Sequence, residues 1–136
     1  MKEGLKEIER FHGHIGPYVV IGYRMGVVAN RILGDDPFSK FATVFTGKNP
    51  PMSCIIDGIQ IASGCTIGKG NIEVKDEHQA KAVFTDGKKS IEIVLKPDVK
   101  ERIERSFKEG FEIIDEIINM PDYELFDIKV EYAKHN

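Results

Sequence analysis

The sequence predicts an α+β fold in which a mixed or antiparallel sheet packs against helices. Apolar residues recur at helical spacing through most of the first 64 residues, and alternation typical of strands follows in residues 80–95 and again in residues 126–132. Helices come first and a hairpin follows, so the order does not favour a repeating βαβ unit. With 136 residues and 41% hydrophobic content, we expect one domain spanning residues 1–136.

Two helices are predicted at the start of the chain. Residues 2–11 carry one apolar stripe, and residues 17–33 form a longer helix that begins at Pro17 and stops at Gly34. Gly22 and Gly26 lie on one side of this second helix, together with Ala29. Because glycine is unfavourable inside a helix, we interpret this side as a close packing surface in the core.

The middle of the chain predicts a short strand, a third helix and a second strand. Residues 41–45 read as a strand, and a helix starts at Pro51 and ends at Gly64. After a glycine-rich loop, residues 72–74 form the next strand.

The second half predicts a hairpin, one long helix and a last strand. Residues 80–84 and 91–95 alternate around Asp86 and Gly87, which indicate a tight turn. A helix should run from Pro97 to about Asn119. Its predicted apolar face comprises Val99, Ile103, Phe107, Phe111, Ile114 and Ile118. Residues 126–132 alternate strictly and predict the final strand.

Charge and composition exclude several functional classes. Nineteen Lys and Arg residues against 22 Asp and Glu residues give a net charge of −3, and no basic block marks a nucleic-acid binder. No stretch approaches the roughly 20 apolar residues of a membrane span, and the charged start does not resemble a signal peptide. We therefore expect a cytoplasmic protein whose two cysteines are free thiols or metal ligands.

The segment that joins the first two helices carries a histidine pair. His12 and His14 flank Gly13, so in an extended loop both imidazoles project to the same side. This arrangement suits a metal ion or a proton shuttle. The alternative is that each histidine makes an ordinary hydrogen bond near a helix end.

Cys54 and Asp57 form a second candidate pair. Cys54 should lie in the first turn of the third helix, where the helix dipole stabilises a thiolate and lowers the thiol pKa. Asp57 follows one turn later on the same strip. Together they are metal ligands, or a nucleophile with an orienting acid. A buried, unreactive cysteine is the alternative.

Cys65 lies in the glycine-rich loop of residues 64–71, just beyond the other end of the third helix. There the dipole is negative and disfavours a thiolate. The loop and Lys69 could bind an anion, but the standard nucleotide-binding motifs are absent. The glycines are equally explained as turn residues.

Three segments together resemble the family of the formylmethanofuran dehydrogenase E-subunit over roughly residues 8–120. They are Phe-His-Gly-His-Ile-Gly-Pro at 11–17, Cys-Ile-Ile-Asp-Gly-Ile-Gln at 54–60 and Gly-Cys-Thr-Ile-Gly-Lys-Gly-Asn at 64–71. The resemblance implies a mixed α/β domain, often dimeric, with a His, Cys and Asp pocket that can take a metal. It also implies an association with the molybdenum or tungsten enzyme that makes formylmethanofuran in methanogenesis.

Two departures from the family pattern affect this pocket. Gly16 stands where the family usually has a cysteine, and Tyr18 stands where it has a glycine. The chain also ends at Asn136 without the paired Cys-x-x-Cys of the C-terminal zinc-binding segment found in many members. We therefore expect a metal site with few protein ligands and an open position for water or substrate.

These observations define the expected site, cofactor and partners. The expected metal ligands are His12, His14, Cys54 and Cys65, with a divalent transition metal, zinc in the first place. The expected catalytic residues are Cys54, His14 and Asp57. The expected partners are a second copy in a homodimer, through the 126–132 strand or the Gly22 and Gly26 face, and the subunits of a molybdenum or tungsten formylmethanofuran dehydrogenase.

Three functional hypotheses follow. The first is a metal-binding domain with an accessory or catalytic role in one-carbon or molybdenum/tungsten enzyme metabolism. The second is a metal-independent thiol enzyme with Cys54 as the nucleophile and His14 as the base. The third is a non-catalytic interaction module.

Overall fold

The computed structural model describes residues 1–133 and confirms the α+β class. Its helices are α1 (Lys2–His12), α2 (Pro17–Leu33), α3 (Cys54–Ser63), α4 (Pro97–Glu109), α5 (Ile114–Asn119) and α6 (Asp122–Leu125). Its strands are β1 (Phe41–Val44), β2 (Ile72–Val74), β3 (Lys81–Thr85), β4 (Lys89–Leu95) and β5 (Phe126–Tyr132). In the described part of the chain, no helix has the length and apolar character needed to cross a membrane.

The five strands form one mixed sheet in the order β2-β1-β3-β4-β5. β1 pairs with β2 in parallel, and all the other pairs are antiparallel. Alternate residues on one face are buried, among them Ala42, Phe84, Ile91 and Ile93. The core therefore lies between this face and the helices.

α2 and α3 pack with their backbones in direct contact. A side chain at Gly22 would overlap the carbonyl oxygen of Ile55, and one at Gly58 would overlap the carbonyl oxygen of Val19. Further along, Gly26 faces Ala62, so the two helices run parallel and begin at the same end of the domain. The Gly22 and Gly26 face is covered by α3, so it is not the homodimer surface that the sequence suggested.

Arg24 of α2 fastens the C-terminal helices to the core. Its guanidinium donates to the carbonyl oxygens of Ile117 and Ile118 at 2.8 and 3.0 Å and to the Asp122 carboxylate at 2.8 Å. Arg31 donates to the same carboxylate at 2.7 Å. Burial raises the pKa of Asp122, but the hydrogen bonds from the two arginines outweigh it and lower the pKa below its ordinary value.

The prediction of a single helix over residues 97–119 is wrong. α4 ends at Gly110, which adopts a left-handed φ of 75°, and the chain turns before α5 begins. The Glu112 carboxylate then accepts a hydrogen bond from the amide of Ile114 at 2.7 Å. Because of this break, the buried residues of this region are Ile113 and Ile117, and the predicted face does not continue beyond α4.

The third helix also begins later than predicted. Pro51 lies in a turn, and α3 starts at Cys54. The α6 turn before the last strand was not predicted from the sequence, whereas β5 spans the predicted residues 126–132.

The contact between α2 and α3 predicts the effect of a minimal substitution. Gly22→Ala should lower the free energy of unfolding by about 1–3 kcal/mol or more, because the new methyl group must push α3 away. Val27→Ala, at an exposed position of the same helix, should change it by less than about 0.5 kcal/mol. Urea unfolding of both variants measures the difference, and equal stability would contradict the close backbone contact.

Candidate functional site

The parallel arrangement of α2 and α3 brings the motif residues to one small pocket. The pocket has a volume of about 60 Å³ and lies at the end of α1, beside the first residues of α2 and α3 and against α4. It is lined by His12, His14, Gly16, Pro17, Tyr18, Val19, Pro51, Cys54 and Phe107. Of the predicted site residues, His12, His14 and Cys54 line this pocket, and Asp57 contacts it through His12.

His12 is held by Asp57. Its Nδ1 lies 2.6 Å from Oδ2 of Asp57, and its side chain is only 13% exposed. A proton on Nδ1 donates to the carboxylate, which leaves Nε2 as a lone-pair acceptor. His12 is the last residue of α1 and Asp57 lies in the first turn of α3, so the pair also joins two helices. The imidazole therefore has a fixed orientation and a defined free nitrogen.

His14 stacks on His12 and lies over Gly16. The two imidazole centroids are 5.3 Å apart with an interplanar angle of 27°, after Gly13 ends α1 with a left-handed φ of 95°. A Cβ at Gly16 would lie 3.0 Å from Nε2 of His14. Glycine at position 16 thus leaves space for the His14 ring, whereas a cysteine side chain there would crowd the ring.

Cys54 is the first residue of α3 and is half-buried at the pocket wall. Burial raises the pKa of its thiol, and the nearby Asp57 carboxylate raises it further, against a smaller lowering by a backbone N–H. The prediction of a lowered pKa is therefore wrong for the protein without a bound ion.

The turn that leads into α3 explains why the helix dipole does not lower the pKa of Cys54. The amide of Cys54 donates to the Pro51 carbonyl at 3.1 Å, and the next two amides donate to Met52 and Ser53. These N–H groups would otherwise stabilise an anion at the start of the helix. Because they already have acceptors, desolvation decides the thiol pKa.

α4 closes the pocket with residues that the motif analysis did not assign to the site. The hydroxyl of Tyr18 donates a short hydrogen bond to the Glu104 carboxylate. Burial and then this carboxylate raise the pKa of Tyr18, so it remains a neutral phenol. The Phe107 ring lies 6.1 Å from the Tyr18 ring and is 47% exposed. Phe107 was predicted as a core residue, but it lines the pocket and remains half-exposed.

The structure does not bring Cys65 to this pocket. Cys65 is fully buried beyond the opposite end of α3, and its Sγ donates to the Lys40 carbonyl at 3.6 Å. The length of α3 alone separates the two cysteines by about 15 Å, at about 1.5 Å per residue. Burial raises the pKa of the Cys65 thiol, in spite of the Ser63 hydroxyl and the charges of Lys40 and Lys69.

Several backbone amides of the glycine-rich loop already donate hydrogen bonds within the chain, so they are not free to bind an anion. The amides of Thr66, Ile67 and Lys69 donate to Asn71, Gln60 and the Thr66 hydroxyl, respectively. The Lys69 ammonium also donates to that hydroxyl, at 3.1 Å. The interpretation of these glycines as turn residues fits the loop better than the anion-binding hypothesis.

The side chains at the pocket include atom types that bind a borderline metal ion such as zinc, but these atoms are too far apart to form a complete metal site. Two imidazoles and one thiol are typical zinc ligands. However, across residues 1–133 no three His, Cys, Asp or Glu side chains converge closely enough to hold a metal as they stand. His14 is exposed, so its ring has room to reorient around a bound ion.

Comparison with known proteins gives one family match and two relevant relatives. Residues 11–127 match the family model described as FmdE, molybdenum formylmethanofuran dehydrogenase operon. A probable S-adenosyl-L-methionine-binding protein of Archaeoglobus fulgidus is 30% identical over 126 residues, which cover 84% of this chain and 32% of that protein. The chain thus spans about a third of the length of this curated relative.

A solved structure shares the fold. It is the FmdE-like protein from Syntrophus aciditrophicus, described as similar to the E-subunit of tungsten formylmethanofuran dehydrogenase, with a TM-score of 0.70 and 20% identity. The similarity covers 98% of this chain and 72% of that chain.

The geometry at Cys54 predicts how its thiol reacts. The rate of its alkylation by iodoacetamide should rise with pH, with a midpoint above that of an ordinary exposed cysteine, since only the thiolate reacts and burial raises the pKa. Asp57→Asn should move the midpoint to lower pH, because it removes a negative charge beside the thiol. Mass spectrometry at graded pH distinguishes the two cysteines, and fully buried Cys65 should react only after unfolding in urea. A Cys54 midpoint near neutral pH would contradict this account.

Proposed function

Because this chain belongs to the FmdE family, which is named for the molybdenum formylmethanofuran dehydrogenase operon, we propose that it is a metal-binding domain of one-carbon metabolism. Its role is accessory or catalytic in methanogenesis-type or molybdenum/tungsten enzyme chemistry. The proposed ion is a divalent transition metal, zinc in the first place, with His12, His14 and Cys54 as its ligands.

The observation that carries the proposal is the 2.6 Å hydrogen bond between His12 and Asp57. Metal-ligating histidines usually donate their second ring N–H to a carboxylate or carbonyl, which fixes the tautomer and makes the free nitrogen more basic. His12 has this support, and its Nε2 is left as the acceptor. Asp57 thereby acts as a positioning residue and needs no direct contact with the ion.

The thiol supplies the second argument. Without an ion, burial and the Asp57 carboxylate keep Cys54 protonated at neutral pH. A bound cation favours the thiolate and would offset both effects. Three protein ligands are fewer than a closed structural zinc site has, so the fourth position is open to water or substrate. With these ligands in place, zinc would supply Lewis-acid chemistry at the open position.

The pocket volume favours an ion or the reactive end of a ligand. Pockets that enclose a whole small molecule measure about 300–1,000 Å³. The volume here is about 60 Å³, too small for a nucleoside-sized ligand such as the one in the name of the Archaeoglobus relative. A larger substrate would therefore lie mainly outside, against Phe107.

A metal-independent thiol enzyme with Cys54 and His14 is the second candidate. The observation in its favour is that both residues line the same pocket. The raised pKa of Cys54 weighs against it, since a thiol that must react at neutral pH needs a lowered pKa.

The proposed cellular setting follows the family. We place the domain in the cytoplasm, as a homodimer and as a partner of formylmethanofuran dehydrogenase subunits. Both cysteines are free thiols, which is consistent with a reducing compartment.

Metal titration of the chelator-treated protein tests the proposal. Cys54→Ser should weaken zinc binding strongly, because it removes a ligand, and Asp57→Asn should weaken it by about 10–100-fold through His12. Calorimetry with zinc measures both affinities. His78→Ala, at an exposed histidine outside the pocket, is the matched control and should bind like the unaltered protein.

Cys65→Ser separates ligation from stability. It should keep the zinc affinity but lower the free energy of unfolding by about 1–3 kcal/mol, because it puts a hydroxyl in a fully buried site. Equal losses of affinity for Cys54→Ser and Cys65→Ser would overturn the ligand assignment. No zinc binding at all by the unaltered protein would overturn the proposed function.

A further inference from the structure

We propose that β5 pairs with β5 of a second copy of this chain, antiparallel and centred on Val130, so that the two sheets become one. This pairing gives the proposed homodimer its surface and its register. Four features of β5 support it: its free edge, its exposed apolar residues, its charge order and the position of α6.

The outer edge of β5 has backbone groups ready for pairing. Ala133 donates its amide to Lys88, and Leu125 accepts a hydrogen bond from Lys96, at 2.7 and 2.9 Å. In an antiparallel ladder, hydrogen-bonded and non-bonded residues alternate. The odd-numbered residues of β5 therefore face β4, and the N–H and C=O groups of residues 126, 128, 130 and 132 point outward. Among the described residues, no strand pairs with that edge.

The edge also exposes apolar side chains. Val130 and Ile128 pair with Ile91 and Ile93 of β4 and so lie on the core side of the sheet. Val130 is nevertheless 37% exposed, and Tyr132, at the end of the strand, is 75% exposed. Long edge strands with exposed apolar residues are templates for pairing with another chain.

The charges on β5 and the position of α6 together select the register. Only registers that set even-numbered residues against even-numbered residues match the outward backbone groups. Centred on Val130, the pair sets Lys129 opposite the partner's Glu131, and the twofold axis repeats that contact. Ile128 then faces the partner's Tyr132. Because Lys129 and Glu131 flank Val130, a twofold rotation about Val130 places each charge opposite its counter-charge, so a second copy fits this edge.

The neighbouring registers are less favourable. Centred on Lys129, the pair would oppose two lysines and would set Asp127 against the partner's Glu131. Centred on Ile128, Lys129 would still face the partner's Asp127, but the partner's Tyr132 would meet Glu124, where the chain is the α6 helix. In the Val130 register the overlap covers residues 127–133 and stays clear of α6.

Val130→Pro tests the edge. Proline removes the outward N–H, and edge strands accept it when that N–H is not used within the sheet. Sedimentation should show the unaltered protein as a dimer at micromolar concentration and Val130→Pro as a folded monomer. Circular dichroism checks the fold. Phe38→Ala, which removes an equally exposed aromatic residue far from β5 in the strand order, should remain dimeric.

Charge reversal tests the register. Lys129→Glu should weaken the dimer by about tenfold or more, since two attractive cross-strand pairs become repulsive. Adding Glu131→Lys should restore the affinity, because the pairs are then attractive again. No restoration would overturn the Val130 register, and a Val130→Pro dimer would overturn the β5 surface. A monomeric unaltered protein would overturn the inference and leave the zinc titration of the proposed function unaffected.

Discussion

The contact between the backbones of α2 and α3 is the constraint on which the site depends. Gly22 and Gly58 have no side chains, so each helix touches the carbonyl groups of the other and the two run parallel. A parallel pair starts at one end of the domain, and Cys54 therefore lies beside the first residues of α2. Bulkier residues at these positions would separate the histidine segment from the thiol, although neither glycine carries chemistry itself.

At the pocket, desolvation of the Cys54 thiolate outweighs its stabilisation by the dipole at the start of α3. Cys54 occupies the helix position that stabilises a thiolate, but the turn at Pro51 engages its amide and the Asp57 carboxylate is close. Asp57 thus has opposite effects on its neighbours, since it orients His12 and disfavours ionisation of Cys54. A cation bound between the imidazole and the thiol would use the oriented His12 ring, and its charge would favour the Cys54 thiolate.

The sequence predicted what local patterns determine. α2 could be bounded from Pro17 and Gly34, and the alternation in residues 126–132 identified β5. The break after α4 was missed because apolar spacing continues through Gly110, and only the glycine and Glu112 signal the stop. The burial that raises the pKa of Cys54 and the contact of Tyr18 with Glu104 depend on residues distant in sequence, which the spacing of residues along the chain does not reveal.

The Arg24 cluster bears on how the chain folds. Its guanidinium is largely enclosed, and its carbonyl acceptors lie 93 and 94 positions away in the sequence. Contacts of such separation cost loop-closure entropy, which slows folding. During synthesis, α2 and α3 emerge before α5, so Arg24 cannot make these contacts until the last quarter of the chain is present. The last quarter of the chain therefore supplies the hydrogen-bond acceptors for Arg24, a charged residue of the first quarter whose side chain is largely buried in the folded protein.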